Sequence, residues 1–431
     1  MQTQFTSEQL SNPDLRESNA ILRKCVHCGF CQATCPTYKL LGDELDSPRG
    51  RIYLMKDMLE KNAEPTVEVV QHVDRCLSCL SCMTTCPSGV NYMHLVDYSR
   101  AHIEKNYRRP VLERIKRFFL ANVLTRPGLF RRILRWNESI RVLSWLFPQR
   151  LRNAMQLSIS PLMKPDTGKL QPHYPAEGTV KGHVALLPGC VQQATKNDIN
   201  AATVRLLNRL GYHVHVLTES ACCGAIEHHL GKADQSHARI ADNIQNWVEK
   251  VEKLQIEAII VNASGCGTTL KDYGYLFREE AGLADAAGKI SGMTFDITEF
   301  LSGVDLGTLV LRDETGLKVA YQSPCSMQHG QGIKRQPAAL LEHFGFRVAG
   351  IDEDHLCCGS AGTYNILQPE LAASLGERKA INIEAVRPDI VASGNLGCMV
   401  QVSHYLQDIP VVHTVQLLDW ASGGPDPRTR S

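Results

Sequence analysis

One spacing, written twice, restricts this chain to very few folds. Residues 25–36 read "CVHCGFCQATCP" and residues 76–87 read "CLSCLSCMTTCP", so C-x2-C-x2-C-x3-C-P occurs in two copies. A loop with a thiolate at every third residue wraps three corners of one cubane, and the fourth thiolate leaves it just before a proline that redirects the chain. This is the bacterial-ferredoxin spacing, in which the fourth cysteine of each run crosses to the other cluster. The expected ligand sets are Cys25, Cys28, Cys31 and Cys86 for one 4Fe-4S cluster, and Cys76, Cys79, Cys82 and Cys35 for its neighbour. A zinc ribbon would pair two C-x2-C knuckles and leave the remaining thiols without a role.

Disulfides are the other common use of cysteine, and they belong mostly to secreted proteins. The polar, acidic start "MQTQFTSEQLSNPDLRESNA" lacks the basic opening and apolar run of a signal peptide, so a cytoplasmic chain is expected. Sixteen cysteines in a reducing compartment point to metal or redox chemistry. No stretch approaches the ~20 apolar residues that span a bilayer. With 46 Lys and Arg against 45 Asp and Glu, overall charge favours no polyanion, and no nucleic-acid partner is expected. No G-x-G-x-x-G lies between a strand and a helix to hold a dinucleotide.

Between the two cysteine runs, "LLGDELDSPRGRIYLMKDMLE" carries a helix start, Ser47 as N-cap and Pro48 at the first helical position. A helix there makes the first module an α-helical ferredoxin-like unit rather than the small β-rich type. Arg49 and Arg51 lie on or near this helix; they either form a solvated face or offset the charge of cluster and thiolates.

Beyond residue 180 the chain repeats itself. The first copy runs "HVALLPGC", "YHVHVLTESACCGA", "AIIVNASGCGTT"; the second runs "KVAYQSPC", "FRVAGIDEDHLCCGSAG", "DIVASGNLGCMV". Thirty-one residues separate the lone Cys from the Cys pair in both copies, Cys190 to Cys222 and Cys325 to Cys357. Short β-branched runs alternate with helical stretches such as "NAATVRLLNRLG", which predicts a parallel sheet covered by helices. Every cysteine follows a predicted strand, where open α/β sheets place their ligands. Cys190, Cys222, Cys223 and Cys266, and likewise Cys325, Cys357, Cys358 and Cys398, are therefore candidates for an additional redox or metal centre. Buried structural cysteines or a redox-active vicinal disulfide are the alternatives. His228, His229, His329 and His355 lie near these cysteines but are read as ordinary polar residues.

The expected class is α+β multidomain. Residues 1–104 form the helical two-cluster module, 105–180 a basic helical connector and linker, 181–305 the first α/β repeat and 306–424 the second. The connector carries thirteen Lys and Arg against two Glu over residues 105–152, with aromatic and aliphatic residues at helical spacing. Pro127 and Gly128 divide it into two helices. It either packs on neighbouring domains and subunits or lies peripherally on an anionic membrane face.

The lone-Cys, CCG, final-Cys pattern resembles the cysteine-rich CCG domain of heterodisulfide reductases, anaerobic glycerol-3-phosphate dehydrogenase subunits and lactate-utilisation proteins. That family usually ends in CxxC, whereas here Cys266 and Cys398 stand alone. With both cysteine types together, "ILRKCVHCGFCQATCPTYKLLGDELDSPRGRIYLMKDMLE", "CCGAIEHHL" and "HLCCGSAGTYNIL" resemble the iron-sulfur subunits of bacterial glycolate oxidases. The resemblance implies a non-flavin subunit of a hetero-oligomeric glycolate dehydrogenase of glyoxylate metabolism. FAD would sit only on partner subunits, which oxidise glycolate to glyoxylate and D-lactate to pyruvate. Electrons would pass through this chain to a quinone or other respiratory acceptor at the cytoplasmic face of the inner membrane, with no catalytic residue here. The competing expectations are a disulfide-reductase-like subunit with catalytic CCG thiols, a docking scaffold, or a subunit of a related lactate or glycerol-3-phosphate dehydrogenase.

Overall fold

The computed structural model describes residues 1–140, 161–166, 168–219, 222–312 and 316–430. The second half of the basic connector and most of the linker's start, 141–160, lie outside the described residues.

The first module is built from helices with legible starts. Asn12 caps α1 (Pro13–Lys24), accepting from the Asp14 and Leu15 amides. Ser47 caps α2 (Pro48–Lys61), its Oγ accepting from the Gly50 amide at 3.1 Å, with Pro48 at the first helical position. Thr66 caps α3 (Val67–Asp74), and Asn91 caps α4 (Tyr92–Asn106). Such caps satisfy amides that have no intrahelical partner. The four helices bury Ile21, Leu22, Ile52, Met55, Leu59, Val73, Leu95 and Ile103 in one core. Burying each such side chain contributes roughly 1.5–3 kcal/mol. The cysteine loops emerge from the ends of α1 and α3, so this core fixes where they begin.

Next come α5 (Val111–Val123) and α6 (Pro127–Ile140), separated where Pro127 starts the second helix. Val123, Phe130 and Leu134 pack with Ala194, which seats the connector on the first repeat.

The first repeat holds a sheet ordered β1-β3-β2-β4-β5, with β1 (His173–Tyr174), β2 (Gly182–Leu187), β3 (Tyr212–Val216), β4 (Ala258–Val261) and β5 (Thr294–Asp296). All neighbours are parallel except β1 on β3. The second repeat is a parallel sheet ordered β7-β6-β8-β9: β6 (Lys318–Gln322), β7 (Arg347–Ala349), β8 (Ile390–Ser393) and β9 (Val411–His413). Apart from β1, the strand orders are identical, so the duplication read in the cysteines extends to topology. Val184, Ala185, Leu186, Ile259 and Ile260 are fully buried, because both sheet faces are covered.

One face belongs to a core shared by both repeats, in which Val184, Leu186 and Ile260 join Val319, Tyr321, Val391 and Ala392. There α7 (Asn197–Arg209) packs on a helix near the C-terminus, and Arg205 and Arg209 both pair with buried Asp419. The other face of the first sheet lies under α8 (Ala233–Lys253) through Ile240, Ile244 and Trp247. In each repeat the chain leaves the first strand in one direction and returns on its other side. This creates a switch point between β2 and β4, and between β6 and β8, where ligands of such sheets bind.

Candidate metal centres

The two ferredoxin-type loops share one backbone device. In each, the residues just before and just after the middle cysteine are left-handed: His27 (φ 56°) and Gly29 (φ 85°) around Cys28, Ser78 (φ 50°) and Leu80 (φ 63°) around Cys79. Such a conformation costs a non-glycine residue of order 1–3 kcal/mol and persists where its surroundings impose it. It turns successive amides inward and makes a concavity for an anionic group, as at many iron–sulfur sites. Glycine takes the left-handed conformation at 29 without strain, and a Cβ there would displace the tip of Arg49, 2.8 Å away at Nη1.

Two cavities result. Cys25, Cys28, Cys31 and Cys86 line one, which Cys82 also touches, walled by Pro48, Ile52, Val90 and Tyr92. Cys35, Cys76, Cys79 and Cys82 line a second, walled by Pro36, Pro48, Leu77 and Tyr92. The fourth cysteine of each run therefore reaches the cavity of the other run. Eight thiols in two tetrads, soft donors around apolar-walled cages, match 4Fe-4S chemistry. Burial pushes the Cys31 thiol up to about 11 and the Cys79 and Cys82 thiols well above their ordinary range. Thiolates in these cages need positive partners, which cluster iron would supply.

The two arginines divide between the two roles open to them. Arg49 is partly exposed and pairs with Glu44, donating also to the His27 carbonyl at 3.3 Å. Arg51 is 1% exposed: it donates to the His72 carbonyl (2.6 Å), Thr37 Oγ1 (3.0 Å) and Asp46 Oδ1 (3.1 Å), with Nη1 3.9 Å from Cys35 Sγ. Asp46, wholly buried, also takes Arg75 at 2.8 Å. From α4, Arg100 donates to Ser78 Oγ and the Cys76 carbonyl, both at 2.6 Å, and pins the second loop. The Arg75–Asp46 pair spans 29 residues and the Arg100 bonds to Ser78 and Cys76 span 22 and 24, so these pairings have no local sequence signal.

The scattered cysteines of each repeat also meet. Cys190, Cys222, Cys223 and Cys266 gather beyond β2, β3 and β4, close enough that each thiol acts on the next. Cys325 lies 3.7 Å from Cys357, which contacts Cys358, which contacts Cys398. Cys266 and Cys398 occupy the first turns of helices α9 (Ser264–Lys271) and α10 (Leu396–Ser403), rather than loops.

The two tetrads differ in electrostatics. In the first, buried Glu227 approaches Cys222 at 3.9 Å and pairs with Arg239; its carboxyl is raised by burial. Gly362 stands five residues after the first cysteine of the second pair, where Glu227 stands in the first copy. In the second, the Cys357 and Cys398 thiols both donate to Cys358 and hold it low, with buried Lys379 acting in the same direction.

The helical module docks on both repeats. On the first, His94 Nε2 lies 2.9 Å from Asp272 Oδ1 and its ring stacks on Tyr275, while Asp97 pairs with His228 at 3.2 Å. A Cβ at Gly231 (φ 77°) would meet the Arg100 carbonyl at 2.4 Å, so this contact admits only glycine. On the second repeat, Leu77 and Cys79 share an apolar cluster with Cys357, Tyr364, Ala372 and Leu375, with Cys325 packed against it. Tyr364 Oη donates to the Arg75 carbonyl (3.0 Å), Thr84 Oγ1 lies 2.8 Å from His329 Nδ1, and His329 Nε2 meets the His355 carbonyl at 3.1 Å. His228, His229 and His329 thus serve the docking of modules. A single sequence holds no sign of pairings that span more than 100 residues.

Comparison with known proteins agrees with this geometry. The 4Fe-4S dicluster domain family matches residues 21–90, and the cysteine-rich domain family matches 184–271 and 319–403. The glycolate oxidase iron-sulfur subunit of Escherichia coli (strain K12) is 41% identical over 94% of this chain and 95% of its own length. This chain belongs to the glycolate oxidase iron-sulfur subunit family. A probable glycolate oxidase iron-sulfur subunit of Bacillus subtilis (strain 168) is 30% identical over 98% of this chain and 99% of its own. Lactate utilization protein A of the same organism is 25% identical over 55% of this chain and 98% of its own. As a member of the glycolate oxidase iron-sulfur subunit family, the chain is an iron–sulfur protein of electron-transfer type. None of its described helices is long and apolar enough to cross a membrane.

Proposed function

We propose that this chain carries two 4Fe-4S clusters, one on Cys25, Cys28, Cys31 and Cys86, the other on Cys35, Cys76, Cys79 and Cys82. It accepts electrons one at a time from flavin-containing partner subunits that oxidise glycolate to glyoxylate, or D-lactate to pyruvate. Each oxidation releases two electrons and two protons at the flavin. This chain moves the electrons towards a quinone or other respiratory acceptor and holds no acid or base for the substrate. The observation that carries the reading is the paired cages, each closed by a thiol from the other loop. The protein residues bind, neutralise through Arg51, and exclude water; the clusters, when bound, supply the one-electron chemistry.

The apolar contact of Cys79 with Cys357 and Cys325 favours a longer relay, in which the second CCG tetrad is the next redox station, as a metal centre or as thiols. The first tetrad has no such contact among the described residues and carries a carboxyl beside Cys222. Anaerobically purified protein is expected to contain about eight irons and eight sulfides in the ferredoxin module, with any excess assigned to the tetrads. Cys357→Ala should stop electron flow to the acceptor in the assembled complex, while Cys222→Ala should leave most of it. Equal loss in both variants would count against the route, and zinc in place of iron would end the electron-transfer reading.

The connector gives a surface for the acceptor's membrane. Val111, Leu112, Ile115, Phe118 and Phe119 recur on one face of α5, all exposed, among exposed Arg108, Arg114 and Lys116. An amphipathic helix of this kind lies in the interface of anionic lipid. Co-sedimentation with vesicles containing phosphatidylglycerol is expected for the holoprotein and should be lost in Phe118→Ser/Phe119→Ser. Absence of binding by the wild-type chain would assign the face to a partner subunit instead.

A further inference from the structure

Four of the sixteen histidines gather at one sheet edge, far from the cysteines in role and untouched by the electron-transfer reading. The topology puts them there. His183 on β2 and His213 on β3 are register partners, His215 follows two residues later on the same face, and β1 adds His173 opposite His215. The face is the one that α8 covers further in, where Ala185 and Leu187 pack beneath it. At the β1–β3 edge the covering helix has run out, so His183, His213 and His215 are half-buried and His173 is exposed.

Their rings form a compact array. His183 Nδ1 lies 3.1 Å from His215 Nε2. Ring centroids are 4.8 Å apart for His173 and His215, 4.7 Å for His183 and His213, and 5.4 Å for His183 and His215. Burial, and then the neighbouring imidazoles, lower the pKa of His213 and His215, which favours the neutral form in which histidine ligates metals. Two nitrogens bound at 2.0–2.1 Å to a tetrahedral zinc-type ion are about 3.3 Å apart, close to the observed separation.

We propose that His173, His183 and His215 bind a divalent ion of the zinc–nickel–copper class, for which imidazole is a preferred donor. His183 and His215 supply the preformed pair. His173, exposed on a two-residue strand, completes a three-histidine set by turning its ring, and water fills the fourth position. His213 is a stacking wall rather than a ligand, because its Nδ1 accepts the Ala176 amide at 3.3 Å. The ion takes the place of the proton between His183 and His215, which moves to the outer nitrogen of the ring that carried it, and ties the short edge strand, and with it the linker's end, to the body of the sheet. The rival group is poorer. Among the described residues the one set of three ligand-type atoms within 4.8 Å of one another is Asp43, Asp46 and His72, and there Arg51 and Arg75 already hold Asp46.

Untagged, cluster-loaded protein would be dialysed against Ni²⁺, with bound nickel counted and its K-edge absorption recorded, since that edge is blind to cluster iron. Wild-type protein is expected to bind one ion more than His183→Gln/His215→Gln, in a shell of nitrogen and oxygen only. His173→Gln, at an exposed position, should weaken that ion at least tenfold with iron content unchanged, and His213→Gln should retain it. Equal nickel in wild-type and double variant, or sulfur in the difference spectrum, would overturn the site.

Discussion

Alanine at Cys86 is expected to empty the cage of Cys25, Cys28 and Cys31, while alanine at Cys35 empties that of Cys76, Cys79 and Cys82. Each variant should fall from about eight irons to about four per chain, and each should lose a different signal in the EPR spectrum of the reduced protein. The reasoning is geometric. Cys86 lines the first cavity and Cys35 the second, although each stands at the end of the opposite loop. Three remaining thiolates leave one iron corner open to water and oxidant, so loss of the cluster is the expected end point. Electron transfer to the acceptor should drop by more than about 100-fold, since even second-shell changes around metals cost 10–100-fold. If both variants lost the same EPR signal, or if Cys86→Ala removed the signal that Cys79→Ala removes, the crossed ligation would be wrong.

That each fourth cysteine sides with the opposite run is an expectation of local spacing, and the cavity linings accord with it. The cap of α2, the break at Pro127 and the parallel sheets implied by repeated βα units were legible for the same reason, each being set by short stretches of chain. The eight repeat cysteines were legible as sets because every one follows a strand, and a switch point gathers such positions whatever the intervening length. What sequence could not reveal is how the modules sit. The Tyr364–Arg75 bond, the His94–Asp272 pair and the Cys79–Cys357 contact join residues remote in sequence and ordinary in type. The unequal surroundings of the two tetrads were equally hidden. Glu227 at Cys222 and Lys379 near Cys358 act through folded distance, and identical CCG motifs give no hint of this difference.

Arg51→Leu is expected to destabilise the helical module by about 3–5 kcal/mol, the usual consequence of removing one partner from a buried ion pair. Leucine would fill much of the volume, but it leaves Asp46 fully buried with only Arg75 and His72 around it, and Thr37 and the His72 carbonyl without their donor. At roughly 2–4 °C per kcal/mol, the melting midpoint of the cluster-loaded protein should fall by about 10 °C. Arg51→Lys keeps the charge and loses the forked geometry that serves three acceptors at once, so it should recover only part of the loss. Asp46→Leu combined with Arg51→Leu removes both charges and should be more stable than Arg51→Leu alone, because the dominant cost is the stranded carboxylate and not the missing pair. The same arginine faces Cys35 and Cys76, so Arg51→Leu should lower the reduction potential of the second cluster by removing a positive neighbour. The double variant removes the Asp46 carboxylate as well, so its potential should lie between those of Arg51→Leu and the wild type. An unchanged melting midpoint or an unchanged potential in Arg51→Leu would show that this guanidinium is not what holds the charge of the second cage.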